Sequence, residues 1–201
     1  AIDPVRFLSN RSSGKMGYAI AEAALRRGAN VTLVSGPTSL VPPAGASVSQ
    51  VTSASQMHDA VMHNLAGKQI VIKAAAVADY APAASAPQKI KKEQGDALTL
   101  TFQKTPDILE SISKIAPKPF VVAFAAETEA VEANAREKLL RKKADLIVAN
   151  DVADPSIGFD SDQNEVLVIA RDGKSTRIAK APKLAIANRI LDLVLEHLPR
   201  D

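Results

Sequence analysis

The 201-residue chain contains no cysteine and no tryptophan, and aromatic residues make up only 3% of it. Without cysteine the protein has no disulfides, no thiolate nucleophile, no iron–sulfur cluster and no cysteine zinc site. The scarcity of aromatic side chains leaves little for stacking on nucleic-acid bases. The lack of cysteine also fits a reducing compartment, and we expect a cytoplasmic protein.

Long apolar runs and a strong charge imbalance are also missing. No run of 18 apolar residues exists, and the first residues do not have the pattern of a signal peptide. The chain has 25 basic and 22 acidic residues, a net charge of +3, which is too mild to indicate a nucleic-acid partner. The three histidines, His58, His63 and His197, are too scattered to favour a metal site. We therefore expect neither a membrane nor a nucleic acid as partner.

Strand and helix patterns alternate along most of the chain. Hydrophobic residues make up 46% of it, which is typical of a globular protein. The alternation predicts an α/β fold, with a mostly parallel Rossmann-like sheet and helices on both faces. Asp172-Gly173 predicts a hairpin turn near the C-terminus, before a closing amphipathic helix. The length predicts one domain over residues 1–201.

Local patterns predict the individual elements. Helical spacing and end signals predict helices over 16–27, 53–65, 106–115, 129–143 and 182–198. Apolar runs and alternation predict strands over 30–35, 47–51, 69–77, 98–102, 120–125, 145–149, 165–171 and 175–178. A lysine-containing flap of about residues 79–104 interrupts the alternation, and such long insertions are usually functional.

Ser12-Ser13-Gly14-Lys15-Met16-Gly17 directly precedes or opens the first predicted helix. Glycines let backbone N–H groups approach a ligand, and a helix N-terminus attracts anions, so this turn is a candidate phosphate site. An ordinary capped helix explains the pattern equally well. The stretch is neither a P-loop nor a Gly-x-Gly-x-x-Gly motif.

Small residues follow the predicted strand at 69–77. Ala74, Ala75 and Ala76 let a flat ligand lie against the backbone, and Asp79 offers a carboxylate for ribose hydroxyls or a metal–phosphate complex. Tight sheet–helix packing with a capping aspartate is the simpler interpretation. In parallel α/β sheets, however, ligands bind at the carboxyl ends of the strands, where these residues lie.

Two groups of lysines are candidate anion ligands. Lys89, Lys91 and Lys92 cluster in the flap and could close over a polyphosphate, although a solvated charge run is the usual explanation. Lys138 and Lys142 are four residues apart, so both amines can face one point from a helix. Glu127 and Thr128, at the end of a buried strand, are either site residues or caps.

Together these stretches resemble one family, bacterial phosphopantothenoylcysteine synthetase. The resemblance runs from Ile2 to the final helix, and it is the ordered set of motifs that is specific. The motifs are SNRSSGKMG (9–17), AAVADY (75–80), KIKK (89–92), KTPDIL (104–109), VVAFAAET (121–128), ADLIVANDV (144–152) and GFDSDQNEV (158–166).

The resemblance implies a ligase that joins 4′-phosphopantothenate to L-cysteine with CTP as co-substrate and Mg²⁺ on the triphosphate. It implies an acyl-cytidylate intermediate, with CMP and pyrophosphate as products of coenzyme A biosynthesis. It also implies a homodimer in which the flap contributes to the partner's site. In many bacteria this domain follows an FMN-dependent decarboxylase domain. The family also has a strand just before the stretch that corresponds to residues 2–6, so the resemblance implies that this first strand and the decarboxylase domain are absent from this chain.

The resemblance also assigns roles to residues. Asn10 and Lys89 correspond to catalytic positions: Asn10 handles the acyl-cytidylate, and Lys89 reaches the triphosphate from the flap. Asp79 is also the candidate contact for Mg²⁺. Thr105 stands where related sequences carry asparagine. The implied CTP-binding positions are Ser12, Ser13, Gly14, Ala74, Ala75, Ala76, Asp79, Lys89, Thr105, Pro106, Asp107, Ile108, Phe124, Lys138 and Lys142.

Two other functions stay open at the level of the sequence. Strand–helix alternation alone also suits an NAD(P)-dependent Rossmann oxidoreductase, but Gly36-Pro37 ends the strand that should end in an acidic residue. A non-catalytic regulatory relative is the other alternative.

Overall fold

A computed structural model describes residues 1–91, 97–127, 129–151 and 161–199. The predicted Lys92 and Thr128 lie outside the described residues, as do the other flap residues over 92–96 and parts of two further motifs, ADLIVANDV (144–152) and GFDSDQNEV (158–166). The helices are α1 (Lys15–Arg26), α2 (Ala54–His63), α3 (Ile108–Ile112), α4 (Val131–Arg141) and α5 (Lys183–His197). The strands are β1 (Thr32–Ser35), β2 (Ser47–Gln50), β3 (Ile70–Lys73), β4 (Tyr80–Pro82), β5 (Phe102–Lys104), β6 (Phe120–Glu127), β7 (Leu146–Asp151), β8 (Gln163–Ala170) and β9 (Ser175–Pro182).

The largest sheet has the strand order β3-β6-β7-β8-β9. Strands β3, β6 and β7 are parallel, whereas β8 and β9 form an antiparallel hairpin at the C-terminal side. The α/β architecture and the C-terminal hairpin are therefore confirmed, and the sheet is mixed. Gly173, with φ +92°, lies in the turn between β8 and β9, where a left-handed backbone favours glycine.

Hydrophobic side chains cover both faces of this sheet. Along β6, Val121 and Ala123 face a core shared with α2, α3 and α4, whereas Val122 faces a core shared with α5. Helix α1 packs on α5 through Ile20 and Ala23. The central strands are apolar on both faces because helices remove both faces from water, as expected for parallel strands.

Two smaller ladders accompany the main sheet. Strands β1 and β2 pair in parallel, with Thr32 opposite Ser47. Strands β4 and β5 pair in antiparallel, with Tyr80 opposite Lys104, and this ladder closes the base of the flap. The flap thus has its own short stem of backbone hydrogen bonds.

Three strand predictions were wrong in their extent. The strand predicted over 175–178 is only the first half of β9, because its pairing with β8 continues as far as Pro182 opposite Gln163. The strand predicted over 69–77 ends at Lys73, because its pairing with β6 stops at Lys73 opposite Ala123. The strand predicted over 98–102 lies instead at Phe102–Lys104, because only Tyr80–Pro82 pairs with it. Alternation describes a half-exposed strand but does not identify which residues find a partner.

Helix ends follow local capping. Ser53 is the N-cap of α2, and its Oγ accepts a hydrogen bond from Gln56 N at 3.2 Å. The helix predicted over 106–115 is shorter, because Asp107 rather than Pro106 begins it as the N-cap of α3. No helix in the described ranges is long and apolar enough to cross a bilayer.

Candidate functional site

A cleft of about 830 Å³ opens at the carboxyl end of β3. The starts of α1 and α3 and one side of α4 form its other walls. Of the predicted site residues, those that line it are Asn10, Ser12, Ser13, Gly14, Ala74, Ala75, Ala76, Asp79, Thr105, Pro106, Asp107, Ile108, Phe124, Lys138 and Lys142. The fold therefore brings five separate sequence stretches to one concave surface of a size typical for small-molecule ligands.

The turn before α1 gives the cleft a helix N-terminus. Gly14 is the N-cap residue with φ +76°, a conformation that side chains with a Cβ adopt only under strain. The Lys15 amide donates to Ser13 Oγ at 3.5 Å. The first turn of α1 lies on the cleft wall through Met16 and Gly17, so the positive end of its dipole faces the cleft.

The alanine segment, Ala74–Ala76, runs between Asn10 and Thr105. Asn10 Nδ2 donates to the Ala76 carbonyl at 2.8 Å. Thr105 Oγ1 donates to the Ala78 carbonyl at 2.7 Å, which connects the entry to α3 with the backbone two residues beyond this segment. A Cβ on Gly17 would meet Ala74 Cβ at 3.7 Å, so α1 also lies close to it. Small residues thus let three elements meet around one stretch of backbone.

The electrostatic character of the cleft is cationic. Seven basic side chains and three carboxylates line it. Asp107 pairs with Lys142, and its Oδ1 accepts a hydrogen bond from Glu110 N at 3.1 Å. Although burial opposes ionisation, the Lys142 ammonium and the Glu110 amide hold the pKa of Asp107 below its ordinary value. The Asp107 carboxylate is therefore ionised at neutral pH, and it is already paired with Lys142.

Lys138 differs from Lys142 in its surroundings. Among the described residues, no carboxylate lies within 4.0 Å of its ammonium. Burial lowers its pKa, opposed by the charge of Glu127. Lys138 and Lys142 both line the cleft, from α4 and its C-cap, and their shared role in anion binding stays a prediction.

Four basic residues of the cleft were given no role in binding at the level of the sequence: Lys73, Lys104, Arg141 and Lys183. Lys73 ends β3, so the rule that ligands bind at the carboxyl ends of strands could have identified it. Lys183 is 7% exposed and its ammonium donates to the Ser161 carbonyl, a contact that depends on tertiary packing. Nothing in the local sequence distinguishes Lys183 from a surface lysine.

Lys89 is not brought into this cleft. The Lys89 side chain is exposed. The neighbouring residue Ile90 forms backbone hydrogen bonds with the N-terminal segment and, among the described residues, not with those of the cleft. Asp3 Oδ2 accepts from the Ile90 amide at 3.1 Å, and Arg6 Nη2 donates to the Ile90 carbonyl at 3.0 Å. Its role in the site therefore stays a prediction.

A second, smaller cavity adjoins the first. It has a volume of about 300 Å³ and is lined by Leu8, Ser9, Asn10, Val77, Ala78, Asp79 and Tyr80. Asn10 and Asp79 line both cavities. They therefore stand at the boundary between a cationic space and a more apolar one.

Asp79 is the candidate metal contact, and it is exposed at this boundary. The described residues contain no group of three or more histidine, cysteine, aspartate or glutamate side chains that could hold a metal ion. One carboxylate still fits Mg²⁺ that arrives on a nucleotide, because Mg²⁺ commonly binds one or two carboxylates together with substrate phosphates.

Comparison with known proteins gives the family. Residues 1–198 match the family model described as DNA/pantothenate metabolism flavoprotein C-terminal domain. The chain belongs to this family. The match covers all elements from the N-terminal turn to α5.

The curated relatives of the family are longer proteins. The chain is similar to the coenzyme A biosynthesis bifunctional protein CoaBC of Vibrio vulnificus, with 49% identity over 193 residues, 95% of this chain and 48% of that protein. The corresponding Escherichia coli protein is 52% identical over 175 residues, 86% of this chain and 43% of that protein. The chain thus spans about half the length of the curated relatives it matches.

Solved structures share the fold. A crystal structure of the C-terminal domain of CoaBC matches with a TM-score of 0.80 and 40% identity, over 96% of this chain and 87% of that one. A mutant of Cab2 solved in complex with phosphopantothenate-cysteine matches with a TM-score of 0.74 at 18% identity, over 96% of this chain and 80% of that one. The second likeness concerns the fold alone.

Proposed function

We propose that the chain is the phosphopantothenoylcysteine synthetase domain of a CoaBC-type protein and uses CTP to join 4′-phosphopantothenate to L-cysteine. The observation that carries the proposal is the single cleft that fifteen of the sixteen predicted site residues line. Its excess of basic side chains suits a triphosphate. Membership in the family and likeness to CoaBC support the reaction class.

The reaction needs an activated carboxylate, because oxide is a poor leaving group. A carboxylate oxygen of 4′-phosphopantothenate attacks the α-phosphorus of CTP and expels pyrophosphate, which forms an acyl-cytidylate. The amine of L-cysteine then attacks the acyl carbon, expels CMP and loses a proton, which forms the amide. Both steps move negative charge on phosphates, so positioning and cationic stabilisation dominate catalysis.

The walls of the cleft suit these tasks. The start of α1 with Ser12, Ser13 and Gly14 binds phosphate oxygens through N–H and hydroxyl groups. Lys138 and Lys142 neutralise phosphate charge from α4. The backbone N–H and C=O groups of the alanine segment form hydrogen bonds with the edge of the cytosine base. Asn10 stands where the triphosphate space meets the smaller cavity, which supports a position beside the reacting acyl group.

The proposal includes Mg²⁺ and, in the other half of the protein, FMN. Mg²⁺ supplies charge neutralisation on the triphosphate when bound, and Asp79 is the residue of this chain that would contact it. The FMN-dependent decarboxylase half belongs to the proposed whole protein.

The proposal also includes a homodimer that completes the site. Several large apolar side chains near the flap are exposed, which favours burial against a second copy. They form the apolar flap patch, defined as Phe7 (70% exposed), Leu8 (57%), Tyr80 (55%), Leu98 (52%) and Phe102 (42%). Leu8 and Tyr80 line one cavity, and Tyr80 and Phe102 lie on paired strands. A partner's flap would bring its Lys89 to a cleft that this chain's own Lys89 does not line.

Binding and turnover measurements test the proposal. We expect CTP to raise the melting temperature and to bind more tightly than ATP. A site whose peptide groups hydrogen-bond to the edge of cytosine leaves some of those groups without a partner when adenine is bound, and this costs affinity. Pyrophosphate release should require 4′-phosphopantothenate, and amide formation should require L-cysteine.

Three results would point elsewhere. Equal turnover with ATP would remove the CTP selectivity. Binding of NADPH without CTP would favour the oxidoreductase alternative. CTP binding with no pyrophosphate release would indicate a regulatory relative.

A further inference from the structure

Lys73 is the last residue of β3, and it lines the cleft directly before the alanine segment. Its backbone is held in register opposite Ala123 of β6. Its Nζ donates to the Ala75 carbonyl at 3.2 Å, and its side chain is half-buried. The ammonium is therefore turned back over the alanine segment and held inside the cleft.

The charges around Lys73 leave its ammonium without a carboxylate partner. Among the described residues, no carboxylate lies within 4.0 Å of it. Asp107 interacts electrostatically with Lys73 at longer range, but its carboxylate forms an ion pair with Lys142 and caps α3. Burial, and then the charge of Lys138, lower the pKa of Lys73, against the opposing charges of Asp107 and Asp79.

Such an arrangement costs stability when nothing compensates it. A half-buried ammonium loses part of its hydration, and its repulsion with Lys138 adds to that cost. Methionine has a similar length, packs well in irregular spaces and carries no charge. A purely structural role would therefore be served better by an apolar side chain. The position of Lys73 is instead complementary to an anion that reaches Lys73 and Lys138 together.

We propose that Lys73 is a phosphate-binding residue of this site, whose ammonium contacts a phosphate oxygen between the alanine segment and Lys138. This inference rests on the proposed function and adds to it a binding residue at the end of β3. The ligand chemistry is a phosphate oxyanion, which two substrates share: the phosphate chain of CTP and the phosphate of 4′-phosphopantothenate.

The experiment compares Lys73→Met with a matched control, Lys68→Met. Lys68 is also half-buried and lies just before the opposite end of β3, where its Nζ donates to Thr32 Oγ1 at 3.0 Å, and it does not line the cleft. Isothermal titration calorimetry would measure the affinity of both variants and the wild type for inorganic pyrophosphate, CTP and 4′-phosphopantothenate.

We expect Lys73→Met to bind its phosphate ligand about tenfold more weakly, the loss typical of one hydrogen bond to a charged group, and Lys68→Met to bind normally. A loss for CTP and pyrophosphate assigns Lys73 to the nucleotide, and a loss for 4′-phosphopantothenate alone assigns it to the acid substrate. Without ligand, Lys73→Met should melt at the same or a higher temperature than the wild type, because a costly charge is removed.

A second pair of variants keeps the test decisive if Lys73→Met does not fold. Lys73→Arg should keep the affinity, and Lys73→Gln should lose it. Unchanged affinity for all three ligands in Lys73→Gln, or a wild type that binds none of them, would overturn the inference. A wild type that binds pyrophosphate through Lys73 but not CTP would remove the proposed CTP function while Lys73 remains a phosphate ligand.

Discussion

Asn10 lies where the two cavities of the site meet, and its side chain is already fixed. The hydrogen bond from Asn10 Nδ2 to the Ala76 carbonyl, 2.8 Å long, joins the N-terminal segment to the alanine segment. An aspartate has the same shape but turns a carboxylate toward that carbonyl oxygen. The Asn10→Asp substitution therefore removes the N–H donor while it keeps the size and shape of the side chain.

We predict that Asn10→Asp slows amide formation more than pyrophosphate release. The new carboxylate would repel both the Ala76 carbonyl and the charge that develops on the acyl-cytidylate. Losing one donor of this kind costs on the order of 2.7–4 kcal/mol in the oxyanion sites of other enzymes. A rapid-quench assay that follows acyl-cytidylate and product separately would measure the two steps.

Asn10→Ala is the control for this prediction, since it removes the donor without adding charge. It should slow both steps less than Asn10→Asp. If Asn10→Asp reduces both half-reactions equally, Asn10 is a general binding residue and the role proposed for it is wrong.

At the scale of elements, the N-terminal turn holds the flap in place through hydrogen bonds. Asp3 is 1% exposed and accepts hydrogen bonds from the amides of Val5, Arg6 and Ile90, as well as from the Arg6 guanidinium. The Ala86 amide donates to the Ile2 carbonyl at 2.9 Å. These contacts hold the segment beside Lys89 from two points.

We predict that Asp3→Asn loosens the flap without unfolding the domain. The Arg6 guanidinium, and then the amides around the carboxylate, hold the pKa of Asp3 well below its usual range. A neutral amide accepts fewer of these hydrogen bonds. Hydrogen exchange at the Ala86 and Ile90 amides should accelerate by about tenfold, and turnover should fall because Lys89 is less well placed.

The pH dependence of the same variant has a defined sign. A lowered carboxyl pKa stabilises the folded state above the unfolded value of about 3.9, and this stabilisation is lost as the pH falls through the lowered folded-state pKa. The difference in melting temperature between wild type and Asp3→Asn should therefore be full at neutral pH and shrink below about pH 4. Glu137→Gln, an exposed position on α4, should show neither effect.

At the scale of the whole molecule, the apolar flap patch predicts association. We expect a homodimer by light scattering, and we expect Phe7→Asp to give a monomer, because a charge in a buried interface loses its hydration. Activity of the wild type should fall on dilution below the dimer dissociation constant. Phe7 is 70% exposed in one chain, so the substitution leaves the folded chain itself intact.

Val41→Asp is the matched control for the dimer prediction. Val41 is 87% exposed, and it lies in the loop between β1 and β2, away from the flap in the sequence. This variant should remain a dimer. A wild type that is monomeric yet fully active would contradict the prediction.

The sequence by itself determined the fold class, the family and most of the cleft. The strand–helix alternation follows from burial of both faces of the central strands, so it is visible without a structure. Fifteen of the sixteen predicted site residues line one cleft, because each motif is a short contiguous stretch at the end of an element. Capping at Ser53 was also predictable, since it depends on residues three apart.

Only the tertiary structure decided where strands end and which cations share the cleft. The strand over 69–77 stops at Lys73 and the one over 98–102 shifts to Phe102–Lys104, because pairing needs a partner strand that the local pattern does not name. The local sequence around Lys73 and Lys183 does not distinguish them from surface lysines. In the folded chain Lys73 is half-buried, Lys183 is buried, and both line the cleft. Burial and charge coupling arise between residues far apart in sequence, and that separation is why local patterns did not predict them.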